Sequence, residues 1–487
     1  MIKDIFKIHD KFSVEIKQSY YSLSKKKKSD YRVVTYIFVP NALNINPQTY
    51  SKERFYKDSR VNIRYNTPEY SLIELISKEE SPLNQFGKQL DATLNDLGNI
   101  QLGKLEVAGK IFAKVFNSAI KKANSDARKE YMATENENVI SDFVEQISEV
   151  LKAYRHFLER IEKLNIETHQ KTLLTLGDEF ISNSVEHQTL ILYSFFDKQS
   201  GIQEQNKSAL LKLLRQEQAY KSKKYYDNKD LDSLDQEYII HKRSQLKKYI
   251  DSVLFLKKDI RKEGTIAEQT IFALAAGFAM LFSTAIAFYY QQKYGTLTST
   301  FFIALVISYM MKDRIKGVMS SLFINKANTL YYDYKIQILN TNNNKVGEIK
   351  ENFSFVLFGK LEPKIKALRF KDRTLNVDDD LFGEQIIQYK KRIVLLPKRI
   401  GQNMLVEKLN SIVDVTRLNF SRFTQNMDNP KKPYYFVKDD KLVKSEVDRV
   451  YHINIIQKFH TERGIEFKRY RLVINKDGIK RIESVAL

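Results

Sequence analysis

Cysteine is absent from all 487 residues, which excludes disulfides and thiolate metal sites. Also missing are the short patterns that mark common chemistries. There is no Gly-x-Ser-x-Gly elbow and no dinucleotide fingerprint. None of the 7 histidines falls in a metal-protease pattern or at ligand spacing with a second histidine on a helix. The nearest approach to a phosphate loop is GKLEVAGKI, Gly103 to Ile111. It places five residues between the glycines where four are needed, and Ile111 where Ser or Thr must hold magnesium. Leu105, Val107, Ala108, Ile111 and Phe112 instead give it the spacing of an amphipathic helix. The sequence therefore points to no cofactor, no metal and no catalytic residue, and no motif in it is specific enough to name a family.

Charge is missing from one stretch, IFALAAGFAMLFSTAIAFYY, the twenty residues Ile271 to Tyr290. As a helix it covers about 30 Å, the thickness of a bilayer's hydrocarbon core. Its Leu, Ile and Phe side chains supply roughly −2 to −5 kcal/mol towards insertion, and no central charge opposes them. A shorter run follows from Thr296 to Met311, about 24 Å as a helix. The connection QQKYG is short, and Gly295 can adopt turn conformations closed to other residues. Tyrosines at 289, 290 and 294 suit one membrane interface, and Lys312 and Arg314 can snorkel at the other. The pair reads as a transmembrane hairpin. Ala273, Gly277, Ser283 and Ala287 are the candidate packing residues, allowing the two helices close approach.

Basic residues set the expected orientation. Lys242, Arg243, Lys257, Lys258, Arg261 and Lys262 precede the first run, and Lys312, Arg314, Lys316 and Lys326 follow the second. The loop between holds only Lys293. The positive-inside rule then expects two spans in the inner (cytoplasmic) membrane with both termini cytoplasmic. The first residues have no apolar h-region, so no cleaved signal contradicts this. Overall, 80 Lys and Arg against 59 Asp and Glu give a net charge of +21. Such a field draws a protein towards polyanions. With an anchored topology, the favoured partner is a bilayer with an anionic inner leaflet, ahead of nucleic acid.

Patterning along the chain suggests an α+β membrane protein in five parts. Residues 1–70 read as a small β-rich module, with FSVEIKQSYYSL and YRVVTYIFV as strands around the lysine run Lys25 to Lys28. Residues 71–263 read as a helical bundle or coiled-coil-like region. In it Ile140, Val144, Ile147, Leu151, Tyr154, Leu158 and Ile161 form a stripe, widened by Phe143, Val150, Phe157 and Leu164. That face is wide enough to suggest a homo-oligomer formed through the bundle. The last bundle helix is expected to continue directly into the first span. Residues 264–312 hold the hairpin and residues 313–332 an interfacial amphipathic helix. Residues 333–487 form a C-terminal α+β domain, with a hairpin at 334–358, one amphipathic helix over GQNMLVEKLNSIVDVTRLNFSRFTQNM, and closing strands.

Two clusters invite a ligand. Arg469 and Arg471 alternate with apolar residues in a strand, and Lys458, His452 and His460 share a parity in the strand before it. Together these five are a candidate polyanion-binding face. Asp378, Asp379 and Asp380 with Glu384 are a weaker candidate for a hard cation, since such triplets usually cap a helix. The function expected is a membrane-anchored, cytoplasm-facing binding, signalling or scaffold protein that engages a protein partner. The alternatives are an oligomeric membrane-disrupting or channel-like effector, and an enzyme whose dispersed site leaves no sequence signature.

Overall fold

The computed structural model describes residues 3–21, 28–96, 98–164, 167–199, 204–225, 233–263, 265–295, 298–330, 332–371, 383–401, 411–461 and 464–485. It is an α+β protein with a β-rich region and long helices. The chain divides into two compact units. One comprises Met1–Ile63, Lys257–Pro397 and Asp414–Leu487, the other Arg64–Leu256 and Lys398–Val413.

The first unit is built on an eight-stranded antiparallel sheet. Its strands are β3 (Ser29–Pro40), β5 (Lys257–Lys262), β6 (Tyr334–Leu339), β7 (Lys345–Phe355), β8 (Glu384–Leu395), β12 (Tyr451–Thr461), β13 (Gly464–Asn475) and β14 (Gly478–Val485). Their order is β14-β13-β12-β3-β8-β7-β6-β5. The N-terminal strand β3 thus lies between β8 and β12, so residues 1–70 and 333–487 are not separate domains. The run YIFV explains why. Ile37 and Val39 point into one core and Tyr36 and Phe38 into another, as a strand buried on both faces requires.

A second sheet of four strands has the order β1-β2-β9-β4: β1 (Lys3–Ile8), β2 (Ser13–Tyr21), β4 (Ser59–Tyr65) and β9 (Ser411–Asn419). Val14, Ile16 and Leu418 from it share a core with Ile387, Ile453, Ile455 and Leu472 of the larger sheet, and with Phe55 of helix α1 (Lys52–Asp58). Strand β9 corrects the long helix expected over residues 401–427. Its segment SIVDVTRLN is rich in β-branched residues and is buried along nearly its whole length, which suits a strand enclosed between neighbours. Residues 402–410 of the expected helix lie outside the described residues, as do Lys25 to Lys27.

Across β2 and β9, the Glu15 carboxylate accepts from Arg417 at 3.0 Å, with Lys17 at 3.2 Å and Lys7 at 3.4 Å. Burial pushes its pKa up, but these cations outweigh burial and pull it from 4.5 down to about 2. A depressed carboxylate adds stability above its unfolded pKa and loses it as pH falls through the folded one. We expect part of the acid unfolding limb between pH 4.5 and about 2 to vanish in Glu15→Gln. A pH series of melting curves measures this, and superimposable acid limbs would refute it.

The second unit is helical: α2 (Leu72–Ser77), α3 (Pro82–Asn95), α4 (Asn99–Thr134), α5 (Asn138–Glu162), α6 (Thr168–Asp197), α7 (Glu204–Tyr225) and α8 (Ser233–Asp251). The stripe on α5 is there, and it is consumed within the chain. Ile140, Ile147, Val150, Leu151, Tyr154, Leu158 and Ile161 are all buried, facing α2, α3, α4, α6 and α7. Val144 and Phe157 of the stripe are half-buried. The phosphate-loop-like segment lies inside α4.

Two further expectations change. Helix α8 ends at Asp251 and is followed by a 3-10 turn and strand β5, so no continuous helix leads into the apolar run. That run lies in α9 (Thr265–Tyr294), and α10 (Ser299–Leu330) follows it. The segment 313–332 is not a separate interfacial helix, because α10 passes unbroken through Lys312, Asp313 and Arg314. Among the described residues only α9, over Gln269–Tyr294, is long and apolar enough to cross a bilayer. The charges midway along α10 keep it from qualifying. Gly295, at φ +81°, closes the end of α9, a conformation glycine adopts without strain.

Candidate functional site

The most distinctive construction in the first unit is the root of the α9–α10 pair. Strand β5 feeds α9, and α10 returns to β6. Between α10 and β6, Asp333 is held from several directions. Its carboxylate accepts from Lys52 Nζ at 2.5 Å and Tyr56 OH at 2.9 Å, both on α1, and from the Phe353 N–H of β7 at 2.7 Å. Its own N–H donates to the Glu351 carbonyl at 2.7 Å, and its carbonyl accepts from Glu263 N–H at 3.2 Å. Burial, reinforced by Asp333, pushes the Tyr56 hydroxyl far above its ordinary pKa, so it stays a donor. Glu263 and Asp333 join the two ends of the helix pair where they meet the sheet.

The helices pack through small residues. Ala275 and Ala279 are buried, and Ser308 Oγ of α10 lies 3.0 Å from the Ser283 carbonyl and 2.9 Å from its Oγ. The seam thus follows 275, 279 and 283, an i, i+4, i+8 series. The series expected from sequence coincides with it only in part. Ser283 and Ala287 are half-buried, whereas Ala273 and Gly277 are exposed, and a Cβ at Gly277 would meet nothing within 4 Å. Small residues occur at 273, 275, 276, 277 and 279, so composition could not choose which side faces α10.

The five candidate polyanion ligands do share one face of the large sheet, but much of the stretch they occupy is not open. A short helix, α11 (Pro363–Phe370), lies over it with Leu361 and Ile365 against Tyr36, Phe38 and Ile456. Lys458 is buried and grips both oxygens of Glu362 at 2.7 and 2.6 Å. Arg469 is 2% exposed, and Arg471 pairs with Glu483 at 3.3 Å. His460 is half-buried, its pKa lowered by burial and by Lys458; His452 lies at the exposed end of the row. The alternation was readable, whereas the helix that covers it was not anticipated. Asp378, Asp379 and Asp380 lie outside the described residues, and Glu384 is engaged by Arg369 at 2.7 Å. Among the described residues no cluster suited to a metal ion occurs.

Two buried charge networks went unanticipated, because each is assembled from distant segments. Between the sheets, Lys391 Nζ is 2.5 Å from both Asp414 Oδ2 and Thr416 Oγ1, and 3.7 Å from Glu351. Tyr389 OH donates to Glu351 at 2.7 Å. Burial raises the Glu351 pKa despite Lys391. In the bundle, Arg155 of α5 makes a two-pronged contact with Glu217 of α7 at 2.9 and 2.8 Å and stacks 3.6 Å over the Tyr220 ring. Tyr220 OH donates to Asp178 of α6 at 2.7 Å. Both networks tie elements together. A shallow groove of about 260 Å³ lies beside α4 and α5, floored by Ala119, Ala127, Val139 and Phe143.

Comparison with family models, curated proteins and solved structures found no match to this chain.

Proposed function

We propose that this is a membrane-anchored binding or scaffold protein whose two units face the cytoplasm. Helix α9 is the span, and α10, whose apolar run is the shorter of the two, folds back against it and carries charge to the membrane surface. The observation that carries this reading is the exposure of α9. Only 11% of its most apolar window is buried, where the core helix of a water-soluble protein would be largely enclosed. Phe278, Met280, Leu281 and Phe288 are each more than half exposed, as are Phe302, Ile303 and Met310 on α10. In water such a surface is an aggregation liability; in lipid it is satisfied. The basic flanks favour the cytoplasmic side for the sheet and bundle.

Two measurements test this. Alkaline carbonate washing should leave the full-length protein in the membrane pellet. A reporter active only outside the inner membrane should be active when fused at Tyr294 and silent at the C-terminus. Release by carbonate overturns the span, and the opposite reporter pattern overturns the orientation.

A further inference from the structure

A row of basic side chains crosses the large sheet on the face away from the inter-sheet core. Strand register makes the members direct neighbours: Arg261 opposite Lys335, Lys335 opposite Lys350, Lys350 opposite Arg392, Arg392 opposite Arg32, and Arg32 opposite His460. The adjacent row, pointing the other way, is apolar: Ile336, Ile349, Ile393 and Tyr31, all buried. Like charges placed directly opposite destabilise a sheet, so folding alone does not favour this row. Carboxylates offset part of it. Asp259 lies 2.7 Å from Arg261, Glu348 3.8 Å from Lys335, and Asp30 2.6 Å from Arg392, while Glu263 meets Lys350. Arg32 is exposed and has no ion-pair partner among the described residues, and the same holds for Lys390, one pair further along the same face.

The place of the row gives it a meaning. Arg261 stands four positions before Thr265, where α9 begins, and Lys335 five after Leu330, where α10 ends. The chain can separate them from those helix ends by at most about 14 and 18 Å. From this root the row extends over five inter-strand steps, about 24 Å, away from the helix pair. We propose that this face lies along the membrane and binds the phosphate groups of anionic lipids, with Arg32 and Lys390 as the cations left free for them. The inference rests on α9 being a span, because that fixes the root of the row at headgroup level.

The test uses the full-length protein reconstituted into vesicles of neutral phosphatidylcholine, or of the same lipid with anionic phosphatidylglycerol. Flotation with the neutral vesicles reports on the span alone. Acylation rates of Lys335 and Lys390, read by mass spectrometry, report on the row, with the exposed Lys122 of the bundle as control. A lysine held at an anionic surface gains about 1 kcal/mol, so both should react about five-fold more slowly in anionic vesicles. High salt should restore the rate, and Arg32→Gln should weaken the protection of Lys335. Flotation with equal rates in both vesicles overturns the row and leaves the span. Failure to float with either overturns both. Stronger protection by added duplex DNA, with neutral vesicles, than by anionic lipid would assign the face to nucleic acid and overturn the proposal.

Discussion

Arginine at both Phe278 and Leu281 should abolish membrane association, whereas arginine at Ile100 should leave it intact. All three side chains are exposed, at 56%, 69% and 77%. At a water-facing position such a change alters stability by about 0.5 kcal/mol or less. Within a bilayer each arginine costs about 2.5 to 3.5 kcal/mol, so the pair costs about 5 to 7. That exceeds the roughly −2 to −5 kcal/mol available from the apolar run. The membrane fraction should therefore empty, with protein either degraded or recovered in aggregates. If the double variant accumulates and pellets with membranes as the parent does, α9 is not surrounded by lipid.

The second large effect concerns the interior of the sandwich. Asp414→Ala should destabilise the protein by about 3 to 5 kcal/mol, because it strands a buried cation. Lys391 is 4% exposed, and Glu351, with its raised pKa, is a poor replacement counterion. Lys391→Met together with Asp414→Leu should recover most of the loss, since well-packed apolar residues often match a buried ion pair. Urea unfolding of the detergent-solubilised full-length chain gives the three values and their coupling. A loss below about 1 kcal/mol in the single variant would mean that water reaches Lys391.

Much of the local structure was legible in the sequence. The heptad-like stripe of α5, the charge-free run in α9 and the alternation in β12, β13 and β14 each follow from a strong period. What escaped was whatever depends on partners far along the chain. SIVDVTRLN has apolar residues at spacings that serve a helix or a strand, and only enclosure between neighbours decides for the strand. The α5 stripe stated its width but not what covers it. For the candidate site, parity placed His452, Lys458, His460, Arg469 and Arg471 together. Nothing in LEPKIKALRF announced that α11 would cover that row or that Glu362 would neutralise Lys458. Basic residues that form the row from Arg261 to His460 are scattered over six strands, and register alone assembles them.

The central position of β3 has a consequence for synthesis. Tyr36 pairs with Gln388 on one side and Ile456 on the other, so neither edge of β3 can be satisfied until almost the whole chain has left the ribosome. At about 5 to 20 residues per second, that wait lasts tens of seconds. Through it, YRVVTYIFV is an unpaired apolar strand, a template for any neighbouring copy in the same condition. Helix α9 emerges midway. On the membrane reading, nascent chains would by then be tethered and spaced apart in the bilayer, which keeps unfinished sheets from finding one another before β8 and β12 arrive.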